Sequence, residues 1–124
     1  MKLKLIGCVC AAALLAGCAT NNHLYQWGNY EDTLFAYFHE PEVKEEMLTA
    51  YMVFLEKAQT KNTKKVAPGL FAEAGTFMLE KGDTKAAIRF YELELSVWPE
   101  SEPLMSMLIR NLNAREQAVQ EQAK

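Results

Sequence analysis

Cysteine is scarce in this chain of 124 residues, and what there is lies at one end: Cys8, Cys10 and Cys18. No disulfide can therefore join two positions after residue 18, and no thiolate is available there for a metal or for nucleophilic catalysis. Histidine is scarcer still, with only His23 and His39, and no His/Cys/Asp cluster has metal-ligand spacing. Gly-x-Ser-x-Gly, a Gly-rich phosphate loop and His-Glu-x-x-His are all missing. Strand signals are nearly absent: there is no sustained period-two alternation and no Asn-Gly or Asp-Gly hairpin turn. Basic residues, 13 against 16 acidic ones, leave a net charge of −3 and no electrostatic footprint for nucleic acid. The longest apolar run, Leu5 to Ala16, falls short of the ~20 residues that span a bilayer as a helix. The acidic clusters Glu42, Glu45, Glu46 and Glu100, Glu102 fall at expected helix starts and are read as solvated. Paired carboxylates can cleave a glycan, but that chemistry needs an acid raised by burial, and the pattern buries none. The chain is accordingly expected to be no enzyme and to need no cofactor and no metal.

What is present begins at the N-terminus. Met1-Lys2-Leu3-Lys4 carries two positive charges and no acid, an uncharged apolar stretch follows, and Leu15-Ala16-Gly17-Cys18 closes it. That is the layout of a secretory signal peptide. Leu-Ala-Gly-Cys resembles the bacterial lipobox, with a plain signal peptide and an incidental cysteine as the alternative. The resemblance implies that the Cys18 thiol accepts a diacylglyceryl group and that cleavage falls between Gly17 and Cys18. Two or three acyl chains hold a protein stably on a membrane, at ~0.8 kcal/mol per buried CH2. Ala19 implies the outer membrane, facing the periplasm, if the source is Gram-negative. The expected organisation is residues 1–17 as signal peptide, 18–23 as lipidated N-terminus and short tether, and 24–124 as one domain. Cleavage would remove Lys2 and Lys4 but no acid, taking the net charge from −3 to −5. The lipid, not the charge, would then hold the chain to the membrane.

Within the domain the apolar residues recur at helical spacing, which predicts an all-α fold of about five helices. The first runs from about Tyr30 to His39 with Asn29 as N-cap, an apolar stripe of Leu34, Tyr37 and Phe38, and Pro41 beyond its end. The second, from about Glu42 to Ala58, carries acids at its start and Lys57, Lys61, Lys64 and Lys65 toward its end, as the helix dipole favours. Pro68-Gly69 breaks the chain. The third spans about Leu70 to Lys81, with Phe71, Ala74, Phe77 and Met78 inward. Gly82 and the capping Asp83 lead into the fourth, through Ala87, Ile88, Tyr91 and Leu95 to about Val97. Ser101 caps the fifth, whose buried face is Leu104, Leu108, Ile109 and Leu112, and whose stripe thins after Asn113 toward a fraying end.

The stretch from Pro68 to Pro99 resembles a tetratricopeptide repeat, a helix–turn–helix unit of about 34 residues. Ala74-Gly75 stands for the close-contact pair, Gly82-Asp83 for the turn, Ala87 for the small contact, Tyr91 for the aromatic and Pro99 for the terminator. Phe71 replaces a usual Trp, Met78 a usual Tyr, and Glu94 a usual small residue. An ordinary five-helix bundle is the alternative packing. With the lipobox and the opening Leu24-Tyr25-Gln26-Trp27-Gly28-Asn29-Tyr30-Glu31, the chain resembles a family of short bacterial lipoproteins of undefined function. Its members are often encoded beside a lipoprotein similar to the curli secretion channel.

These resemblances imply tetratricopeptide-like helical hairpins presenting a groove. Ala72, Thr76 and Leu79 are the expected groove residues of the third helix, and Tyr25 a further contact. The expected role is a membrane-anchored periplasmic adaptor that binds an envelope protein or peptide, with a secretion-channel-like lipoprotein as one candidate partner. A structural envelope lipoprotein without a specific ligand, and an enzyme acting on peptidoglycan, are the alternatives.

Overall fold

The structure, a computed structural model, describes residues 24–60 and 65–123. The expected signal peptide, Cys18, the tether up to His23, and Lys61 and Lys64 lie outside these residues. Among the described residues five α-helices follow in order: α1 Tyr30–His39, α2 Lys44–Thr60, α3 Leu70–Glu80, α4 Thr84–Val97 and α5 Glu102–Gln122, with a 3-10 turn at Pro99–Ser101 before α5. The all-α class read from the periodicity is the observed one.

The helices pair as two hairpins. In the first, α1 lies on α2 through Thr33 and Ala36, both buried. Thr33 Oγ1 accepts from Asn29 Nδ2 at 3.0 Å and donates to the Met47 carbonyl at 3.3 Å. Asn29 therefore reaches a side chain one turn on and makes no side-chain cap to the backbone of α1. The inward face of α1 is also rotated from the expected stripe, since Phe38 is exposed. Thr33 faces inward because its hydroxyl has a carbonyl to bond, which offsets the cost of burying it.

In the second hairpin α3 and α4 come very close at Gly75. A Cβ there would lie 2.5 Å from the Tyr91 ring and 3.1 Å from the Ala87 carbonyl oxygen. Glycine is the residue that leaves room for this approach. Asp83 caps α4 by accepting the Ala86 N–H at 3.0 Å, as expected of an N-cap.

One core cluster joins α2 to α3 through Leu48, Tyr51, Leu55, Phe71, Ala74 and Phe77, with Phe90, Leu93 and Val97 of α4 packed against it. A second joins α4 to α5 through Ala87, Tyr91, Met105 and Leu112. The buried Tyr51 hydroxyl donates to the Leu70 carbonyl at 2.8 Å and so ties α2 to the first turn of α3. Burial pushes its pKa up.

The two ends of the described chain differ from expectation. Gln26 forms an isolated parallel bridge with Val66, its amide donating to the Lys65 carbonyl at 3.0 Å and its carbonyl accepting from Ala67 at 2.9 Å. Trp98 holds this bridge in place: its indole N–H donates to the Val66 carbonyl at 3.2 Å. The Tyr25 ring meets Trp98 edge-on at 5.2 Å and the Lys65 ammonium lies 4.9 Å from the ring centre. Lys65 thus serves this contact and not the end of α2, which stops at Thr60. At the other end, α5 continues to Gln122. Without a Gly or Pro after Asn113, nothing in the sequence breaks it.

Candidate functional site

On α4, residues 87, 91 and 94 recur at spacings of four and three, which places them on one side of a helix. Ala87 and Tyr91 were expected there, and Glu94 shares their burial at 1% exposure. The reading that no carboxylate is buried is therefore corrected. Its side chain lies where two helices begin. Glu94 Oε1 accepts the Gly69 N–H, at the start of α3, at 2.7 Å, and the Ser101 hydroxyl, at the start of α5, at 3.3 Å. Two helix N-termini offer positive potential to the carboxylate. Ser101 accordingly spends its hydroxyl on Glu94 and gives no side-chain cap to α5. Glu94 Oε2 is buried and has no hydrogen-bond partner among the described residues.

Glu94 lines a cleft of about 470 Å³ between the first turns of α3 and α5. Pro68, Ala72, Pro103, Leu104 and Met105 form its apolar walls, and Glu100 and Ser101 its polar edge. A second depression of about 360 Å³ lies further along α3 and α5, between Leu79, Thr84, Leu112, Arg115 and Val119. Ala72 belongs to the first and Leu79 to the second. Thr76, between them in sequence, is exposed, and its hydroxyl lies 3.4 Å from that of Tyr91. Residues 72, 76 and 79, three of the four expected contacts, recur at spacings of four and three and so share one side of α3, with Ala72 and Leu79 each lining a depression that α5 also lines. Ala72 and Leu79 are half-buried and pack against the cluster of Ala87, Tyr91, Met105 and Leu112 from α4 and α5. Tyr25, the fourth, lies on Trp98.

A groove of this kind has a defined chemistry. Apolar walls take aliphatic or aromatic side chains, and a carboxylate oxygen in need of a partner takes an N–H donor or a cation. Sequence reasoning missed Glu94 because it was judged by its type, whereas its position in the stripe with Ala87 and Tyr91 was the available signal. Another acid, Glu73, is half-buried on α3. Burial raises its pKa, and its charge in turn raises that of Tyr30, whose own burial is the larger cause. No group of three or more His, Cys, Asp or Glu side chains able to hold a metal occurs among the described residues. No helix among them is long and apolar enough to cross a membrane.

Beside α1, Trp27, Gly28, Tyr30 and Glu31 of the expected family motif line a third depression, of about 570 Å³. Gly28 has φ +58°, and a Cβ on it would stand 2.5 Å from the Phe54 ring, so the motif's glycine lets the chain lie on α2.

Comparison with known proteins returns no matching curated protein and no matching solved structure. The model of one family, described as Domain of unknown function (DUF4810), matches residues 24–108. That span runs from the Tyr25–Trp98 contact through both hairpins and into α5, and so takes in the Glu94 cleft. With more than half its length matched, the chain belongs to the DUF4810 family.

Proposed function

We propose that the mature protein is a lipid-anchored adaptor of the cell envelope, held by acyl chains on Cys18. It binds an extended segment of another envelope protein in the groove between α3 and α5. In this reading the outer membrane carries it, facing the periplasm, and the α3–α4 hairpin with α5 acts as a tetratricopeptide-like unit. A secretion-channel-like lipoprotein is one candidate partner. The protein performs no chemistry of its own. The observation that carries the reading is the apolar cleft lined by Glu94, whose Oε2 is buried behind it without a hydrogen-bond partner among the described residues. A buried acceptor without a partner costs stability, about 1–3 kcal/mol, and a partner's N–H recovers it.

A photo-crosslinking residue at Leu104, exposed at the cleft mouth, should give a discrete adduct in intact envelopes. Arg110, exposed on another side of α5, should give none. Ala72→Arg, which fills the cleft, should abolish the Leu104 adduct while preserving the helical circular dichroism spectrum. Identical adducts from both positions, unaffected by Ala72→Arg, would refute the groove.

The second reading, an enzyme acting on peptidoglycan, draws on the same residue. Glu94 is a buried acid, and Glu100 lines the cleft with it, which supplies two carboxylates for glycosidic chemistry. Release of soluble fragments from purified cell-wall sacculi, lost in Glu94→Gln, would replace the adaptor reading.

A further inference from the structure

Aromatic side chains in this chain are buried or half-buried with three exceptions among the described residues: Trp27, Phe35 and Phe38, exposed by 41%, 55% and 69%. All three lie within the first fifteen described residues, together with Leu24, exposed by 75%. Their arrangement is not scattered. Residues 31, 35 and 38 follow one another at spacings of four and three and so share a side of α1. Trp27 and Glu31 line one depression at the start of that helix. The Phe35 ring stacks on His39 at 4.7 Å and Phe38 meets Tyr37 edge-on at 5.2 Å, so both are held in place while their outer surfaces face solvent. The helix turns Thr33 and Ala36 toward α2 and leaves the outer surfaces of Phe35 and Phe38 exposed.

We infer that this face of α1 lies against the phospholipid bilayer. The inference rests on the reading that Cys18 carries lipid. Six residue steps separate Cys18 from Leu24, a reach of about 20 Å when fully extended. The anchor therefore holds the start of the domain within about 20 Å of the bilayer, at high effective concentration. Tryptophan favours the membrane–water interface, where its ring leaves water while the indole N–H stays hydrated, and phenylalanine and leucine form the apolar face of helices that lie in it. Charge contributes no attraction: Glu31 and Asp32 border the patch at the start of α1, His39 and Glu40 at its end, and Glu42 and Lys44 follow, with Lys44 placed 3.7 Å over the Tyr37 ring. The contact is thus apolar, shallow and dependent on the anchor. Seating α1 on the membrane fixes the orientation of the whole domain, so the groove between α3 and α5 is held at a defined angle to the bilayer.

The test uses the lipidated full-length mature protein in vesicles of phosphatidylethanolamine and phosphatidylglycerol. With Cys18 acylated, a cysteine introduced at Phe38 or Arg110 is the only free thiol, and each is labelled with an environment-sensitive nitrobenzoxadiazole dye. Dye at Phe38→Cys should emit to the blue of dye at Arg110→Cys. Nitroxide-bearing lipids should quench it several-fold more strongly. Unlabelled protein should show bilayer quenching of tryptophan emission that Trp27→Phe removes. Equal, weak quenching at both dye positions overturns the inference while leaving the anchor and the groove intact. A blue-shifted Phe38 dye that lipid nitroxides fail to quench assigns the face to a second copy of the chain and also overturns it. The mass of the N-terminal peptide is read in the same samples, and an unacylated Cys18 overturns both the anchor and the membrane contact.

Discussion

Glu94 and Gly75 show how much single positions decide here. Gly75 lets the Tyr91 ring and the Ala87 carbonyl approach α3, and Ala87 is fully buried where Ala86 is half-buried. Leucine suits a helix equally at either position, so a difference between the two variants reports packing alone. Ala87→Leu should cost ~1–3 kcal/mol by overpacking and lower the melting temperature by several degrees, and Ala86→Leu should do much less. Equal shifts in thermal unfolding would remove the evidence for close hairpin packing. Glu73 allows a test by pH. Burial raises its folded-state pKa above the unfolded value, so its contribution is most favourable when protonated and is lost as pH rises through the folded pKa. Glu73→Gln, which cannot ionise, should match the parent in melting temperature below about pH 4 and exceed it at about pH 8. A pH-independent difference between the two would show that the carboxylate is fully hydrated in the folded chain.

At the scale of elements, few polar contacts among the described residues join the helices, and three of them reach a helix end. Tyr51 ties α2 to α3, Glu94 ties the starts of α3 and α5 to α4, and Trp98 ties the N-terminal segment to the α2–α3 connection. The pair between Lys81 and Glu45 also links α3 to α2, but an exposed ion pair adds little. Trp98→Ala should therefore act locally first. The half-buried indole should cost about 2–3 kcal/mol, below the range for full truncation of a buried one. Hydrogen exchange should speed up at the amides of Gln26 and Ala67, which donate across the bridge, before it does within α4. Uniform acceleration through all helices would mean that the bridge unfolds only with the whole domain.

For the whole molecule, two hairpins and a final helix form two core clusters that share α3 and α4. The aromatic face of α1 and the cleft at the start of α5 are contributed by different parts of this frame. On the proposed reading, an anchored domain can meet a membrane and a partner at once. Cys18→Ser offers no thiol for lipid transfer and should yield unprocessed or soluble protein. Continued incorporation of labelled fatty acid, with fractionation to the membrane, would refute the lipid anchor.

The periodicity of Leu, Ala and aromatic residues by itself determined five helices and their approximate ends, because helix formation depends on local spacing and on breakers such as Pro41, Gly82 and Pro99. It also determined that Ala87 and Tyr91 face inward and that Asp83 caps α4. Tertiary structure decided what local pattern cannot encode. Thr33 went inward and Phe38 outward because a carbonyl on α2 was within reach of a hydroxyl. Ser101 left its expected cap, and Glu94 was buried, because two helix starts converged on one carboxylate. The bridge between Gln26 and Val66 formed because a tryptophan remote in sequence donated to the same segment. Each of these outcomes depends on a hydrogen-bond partner supplied by another element, and such a partner has no signature in the residues on either side of it.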